Sequence, residues 1–201
     1  MIDFFVKGGI FMYPILLCSI LSLWFFIYKL LILKKDKNIP PKLVNEAKKL
    51  FLEDKLDELH KICVRYPSPL AKILIVISKN YDKDKNSLRE AVEVAGKTEV
   101  LELEKYIDAI GTIAGISTLL GLLGTISGLI SIFSTISIDP VVNPARLAGG
   151  ISEALNTTAF GLVVAIPSVA FNKYLESKVN KIVAELEQIS AEFIELVAGD
   201  R

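Results

Sequence analysis

Three windows of this chain are long, apolar and nearly free of charge, and they limit what it can fold into. Residues 9–33, GIFMYPILLCSILSLWFFIYKLLIL, carry only Lys29. Residues 109–138, AIGTIAGISTLLGLLGTISGLISIFSTISI, carry no charge, and between Arg146 and Lys173 Glu153 stands alone. Each window exceeds the roughly 20 residues that cross about 30 Å of hydrocarbon as a helix. The pattern therefore predicts an all-α membrane protein with three transmembrane helices in a lipid bilayer. The first window is longer than the apolar core of a cleavable signal peptide, and no small-residue cleavage pattern follows it, so it reads as a retained anchor.

Charge is segregated rather than scarce. The chain is 52% hydrophobic, yet its 23 basic and 23 acidic side chains cancel, which argues against a nucleic-acid partner. Lysines crowd the stretch from Lys34 to Lys105 and recur at Lys173, Lys178 and Lys181, whereas Lys7 and Arg146 lie on the other side. The positive-inside tendency then predicts an outer N-terminus and a cytoplasmic C-terminus. Cys18 and Cys63 form no metal or redox motif, and His60 reads as an ordinary, partly exposed helix residue.

The predicted organisation is an outer interfacial helix at 1–9, transmembrane helix 1 at 10–33, a cytoplasmic helical domain at 34–106 and transmembrane helix 2 at 107–137. An outer turn at 138–145, transmembrane helix 3 at 146–173 and a cytoplasmic C-terminal helix at 174–201 complete it. Trp24, Tyr28 and Lys29 suit the inner interface, with the lysine snorkelling toward water. Pro40 and Pro41 open a helix that YPSP at 66–69 closes, and Pro69 opens another that runs to about Tyr81. Ser87 and Glu90 form an S-x-x-E capping box. From there one continuous helix is predicted to about Thr135, roughly 70 Å at 1.5 Å per residue. Asn143 and Pro144 start the third span, and Ile182, Leu186, Ile189, Phe193 and Leu196 continue it to Val197 at helical spacing. Spans two and three thus extend into a cytoplasmic helical bundle, with apolar faces that imply self-association.

Inside the spans the small and polar residues are ordered. On a helical wheel Gly150, Ala154, Thr158, Gly161, Ala165, Ser168 and Asn172 fall within about 80° of arc, and Gly111, Thr118, Gly121, Thr125 and Gly128 within about 100°. Counted from the inner ends, Thr125 and Thr158 sit at the same depth, roughly 21 to 23 Å. One reading is a polar ring around a central axis. The other is close helix packing through small residues, with hydroxyls as interhelical hydrogen bonds. Glu153 lies about 140° from Thr158 on the wheel; it is either a functional intramembrane acid or a carboxyl at a subunit contact near the outer interface. No catalytic constellation, metal cluster or phosphate loop is found, so neither an enzyme nor a cofactor is expected.

GLLGTISGLISIF (121–133) and LAGGISEALNTTAFGLVVAIPSVAFNKYL (147–175) closely resemble the signatures of the MotA/TolQ/ExbB proton-channel family. GGIFMYPILLCSI (8–20) is similar to the start of its ExbB and TolQ branch, and three spans rather than four fit that branch. The resemblance implies an ExbB-like fold in the bacterial inner membrane, with the outer turn in the periplasm. It implies a homopentamer surrounding two single-span helices of an ExbD- or TolR-like partner that carries the proton-binding aspartate. Thr125 and Thr158 match the family's pore threonines, and Glu153 matches its glutamate; Thr118, Gly161 and Ser168, on the same small stripes, are the further candidates along the path. Proton flow would drive motion that a TonB- or TolA-like protein transmits. YKLL (28–31) departs from the acidic-basic pair common in relatives. A scaffold that assembles a membrane partner without conducting protons remains the alternative.

Overall fold

The computed structural model describes residues 9–138 and 144–199. The expected interfacial helix before Gly9, and Asn143 with most of the outer turn, lie outside the described residues. Those described form helices and no strands: α1 (Met12–Ile32), α2 (Lys35–Asn38), α3 (Pro41–Leu52), α4 (Leu56–Arg65), α5 (Pro69–Lys79), α6 (Lys85–Glu104), α7 (Ile107–Ile138) and α8 (Pro144–Gly199). Three apolar windows, with mean hydropathies of 2.3, 1.9 and 1.7, are long enough to cross a membrane. α8 runs 56 residues without a break, with Pro167 inside it.

Contacts divide the chain into two units. One contains the residues up to Tyr28 together with Tyr106–Tyr174, and the other contains Lys29–Lys105 together with the residues from Leu175 on. In the first, α7 and α8 lie backbone to backbone. A Cβ added at Gly121 would lie 3.2 Å from the Thr158 Cα, and one at Gly161 would lie 2.7 Å from the Ser117 carbonyl oxygen. Only residues without side chains permit that approach in lipid, where packing rather than the hydrophobic effect holds helices together. α1 joins them through Phe26, whose ring stacks on Phe171 with centroids 4.0 Å apart. Elsewhere α1 presents Leu16, Leu17, Ile20, Leu23 and Trp24 outward.

The second unit is a small helical bundle. α3 buries Leu43, Ala47, Leu50 and Phe51; α4 buries Leu59 and Cys63; α5 buries Leu70, Leu74 and Ile77. The end of α8 supplies Leu175, Val179, Ile182, Leu186 and Phe193; of the residues anticipated from the sequence, Ile182, Leu186 and Phe193 are buried and Ile189 and Leu196 half-buried. Phe193 is fully buried and packs on Phe51 with ring centroids 5.2 Å apart. Lys72 holds the buried Glu99 carboxylate through both oxygens at 2.8 Å, so that charge is not left alone in the core.

Four local expectations are corrected. The helix from Pro41 breaks after Leu52, because Asp54 adopts φ 55° and the Lys55 N–H returns to the Leu50 carbonyl at 3.0 Å. Aspartate tolerates that left-handed position better than most residues. α6 begins at Lys85 rather than at a Ser87 cap, since Asp84 accepts the Ser87 N–H at 3.1 Å and its hydroxyl at 2.7 Å. The expected single helix from 87 to 135 is interrupted at Lys105 and Tyr106, where Tyr106 has φ 69°. Its ring stacks 5.5 Å from Phe25 and meets Tyr28 edge-on at 6.4 Å, contacts that hold an aromatic residue where sequence shows no glycine or proline. Finally, Lys29 does not snorkel to water. It is 2% exposed, and its ammonium donates to the Glu102 and Leu103 carbonyls at 3.3 and 3.0 Å, satisfying the open end of α6.

Phe193→Ala should cost about 3–5 kcal/mol of stability, while the exposed His60→Ala should stay within about 0.5 kcal/mol. Thermal unfolding of the purified protein in detergent measures both. Burial pushes the Cys63 thiol up from 9.0 to about 11. The unfolded chain releases this proton near pH 9 and the folded chain keeps it to about pH 11, so this group makes stability fall as pH rises across that window. In the same way, thiol reagents at pH 8 should leave Cys63 unmodified until the protein is unfolded, because the thiolate is the reactive form.

Candidate functional site

The site is built where α7 and α8 approach most closely. Hydroxyls in such spans first satisfy themselves on the preceding turn. Thr118 donates to the Ala114 carbonyl at 3.1 Å, Ser117 to Ile113 at 2.8 Å, Thr157 to Glu153 at 3.0 Å and Ser168 to Val164 at 2.8 Å. These bonds remove most of the penalty for polar groups in an apolar surrounding.

Thr125 and Thr158 do more. Their hydroxyl oxygens lie 2.7 Å apart, and Thr158 also reaches the Gly121 carbonyl on the facing helix at 2.9 Å. Thr125 has the Leu122 carbonyl at 3.0 Å as a further acceptor. Two hydroxyl protons are thus shared among more acceptors than they can serve at once. Both side chains are half-buried, so the pair is anchored on one side and open on the other. Neither hydroxyl titrates in the physiological range. The pair can hydrogen-bond a carboxyl group or a hydrated ion, and the titrating group must be brought to it.

The other expected path residues separate. Thr118 is exposed, whereas Gly161 is buried against Ser117 and Gly121. Ser168 is 2% exposed and bonds the Ser22 hydroxyl of α1 at 2.7 Å. Gly161 and Ser168, expected along the path, are enclosed by the chain's own helices, as are Ala154 and Ala165. The wheel identified one small stripe on α8, but most of its width is the seat for α7 and α1. Thr158 at its edge stays partly open, as do Gly150 and Asn172 at its two ends. The inner end of the stripe is pinned by Asn172, whose amide donates to the Ile107 carbonyl at 2.8 Å.

Glu153 lies apart from this pair. It is exposed, and its carboxylate packs directly against Gly9, which has φ 71°. Thr157 is 1% exposed and packs on Gly124 of α7. Among the described residues no three His, Cys, Asp or Glu side chains converge as a metal site would require. Sequence reasoning missed Ser22. A hydroxyl inside a span was the available signal, but its partner lies 146 residues away.

Residues 45–188 match the profile of the MotA/TolQ/ExbB proton channel family. The chain belongs to this family. It is 32% identical over 174 residues to a putative biopolymer transport protein, ExbB-like 3, from Synechocystis sp., spanning 86% of this chain and 83% of that one. The Tol-Pal system protein TolQ of Haemophilus influenzae is 34% identical over 103 residues, 51% of this chain and 45% of TolQ. A solved structure of C. jejuni MotAB is similar in fold, with a TM-score of 0.62 at 19% identity, covering 87% of this chain and 68% of that one. The chain is thus a membrane protein of the ExbB/TolQ-like branch, with the all-α, three-span fold expected from its sequence.

The close approach is testable. Gly161→Val should lower the unfolding midpoint in detergent sharply, since overpacking costs typically 1–3 kcal/mol or more where backbone cannot yield. Gly115→Ala, with nothing within 4 Å of its new Cβ, should leave the midpoint unchanged.

Proposed function

We propose that this chain is a bacterial inner-membrane subunit of a motor driven by the proton-motive force. Its N-terminus faces the periplasm, and residues 34–106 and 174–201 lie in the cytoplasm, in keeping with the lysine distribution. Five copies form a channel around single-span helices of an ExbD- or TolR-like partner. That partner brings the titrating carboxyl, and Thr125 and Thr158 receive it. The motion produced energises a TonB- or TolA-like protein, and through it transport or envelope processes.

The observation that carries this reading is the Thr125–Thr158 pair. It joins two spans, is bonded at 2.7 Å and retains open faces in a chain of a proton channel family. Family membership alone would also suit a subunit that only assembles its partner. The enclosure of Gly161 and Ser168 favours that scaffold reading for the rest of the stripe. For the threonine pair it does not, because a purely packing contact has no need of two half-open hydroxyls where glycine and alanine serve elsewhere on α8.

Reconstitution with the partner separates the two. Thr158→Val preserves shape while removing the hydroxyl. It should reduce proton-coupled activity at least tenfold while co-purification of the partner is unchanged. Undiminished proton flux with weakened partner capture would support the scaffold and remove Thr158 from the path.

A further inference from the structure

At the head of α1 the chain forms a small polar cavity, open at its rim, that the threonine pair does not use. It measures about 180 Å³, and the residues around it include Gly9, Phe11, Ser127, Ser131, Glu153 and Thr157. Water takes about 30 Å³ each in the liquid and requires two to four polar partners to be held. Here the Glu153 carboxylate and the hydroxyls of Ser127 and Ser131 surround room for several molecules. Against hydrocarbon alone that carboxylate would be costly.

Gly9 fixes where the carboxylate sits. Its φ of 71° places the backbone in the left-handed region, which glycine enters without penalty. A Cβ at this position would fall on the Glu153 Oε1. Both the backbone conformation and the space therefore require glycine, for two separate reasons. Thr157, one turn from Glu153 on α8, anchors its hydroxyl on the Glu153 carbonyl at 3.0 Å and packs on Gly124 of α7, so the floor beneath the carboxylate is fixed.

We propose that this cavity is a hydrated chamber, with water as its occupant and Gly9 as the positioning residue that holds the Glu153 carboxylate at its rim. The inference stands apart from the motor reading, because the chamber can be probed chemically without a partner or a proton gradient.

The test uses the full chain in proteoliposomes, with Cys18→Ala and Cys63→Ala removing the native thiols. Single cysteines are introduced as Ser131→Cys in the chamber and Ile130→Cys on the outward face, where Ile130 is 64% exposed. A charged, membrane-impermeant methanethiosulfonate should modify Ser131→Cys at least tenfold faster than Ile130→Cys. A Ser131→Cys rate no faster than that of Ile130→Cys would overturn the proposal. Adding Gly9→Ala should slow the Ser131→Cys reaction at least threefold by driving the carboxylate into the chamber. Adding Glu153→Asp as well, which shortens the side chain by one methylene, should restore the rate to within twofold.

Failure of that rescue would mean that backbone strain at residue 9 explains the effect, and Gly9 would not be a positioning residue. If Gly9→Ala does not accumulate, Gly9→Asn carries the test, since asparagine tolerates the left-handed conformation while still bringing a Cβ. The same slowing and the same rescue are expected.

Discussion

The contact between the backbones of α7 and α8 at Gly121 and Gly161 is the constraint on which the rest of the first unit depends. In hydrocarbon two leucine-covered helices gain little by touching each other rather than lipid. Removing side chains at facing positions lets the helices close until a new Cβ would meet the Ser117 carbonyl at 2.7 Å. At that separation short side chains suffice to bridge. The Thr125–Thr158 bond and the Thr158 bond to the Gly121 carbonyl exist because the glycines come first. With bulkier residues at 121 and 161, the same threonines would be satisfied on their own turns and would not meet.

Much of this was legible because helix geometry is local. A fixed rise per residue put Thr125 and Thr158 at one depth before any contact was known, and the two hydroxyls do meet. Three uncharged windows gave three apolar helices for the same reason, and the spacing of Ile182, Leu186 and Phe193 gave the buried face of α8. What the sequence left open was which neighbour a stripe faces. Gly161 and Ser168 share the stripe with Thr158, and a wheel carries no information about how far α7 and α1 extend across it.

The remaining differences follow from long-range or competing short-range bonds. Lys29 finds its acceptors 73 and 74 residues away, and Tyr106 is held at a positive φ by Phe25 and Tyr28. No window centred on either residue contains those partners. The α6 start depends on a competing cap close by in sequence. Asp84 and Ser87 are both good caps, and an aspartate placed three residues ahead of the serine captures its N–H and its hydroxyl together.

The surplus of acceptors around the two threonine protons makes their contact indifferent to the polarity of what approaches. Rotating a hydroxyl hydrogen between Leu122, Gly121 and the facing oxygen moves no heavy atom. A protonated carboxyl presented at the open edge would find a lone pair, and an ionised one would find an O–H. A surface of this kind can stay in contact with one group through a full cycle of gaining and losing a proton, with no rearrangement of its own frame.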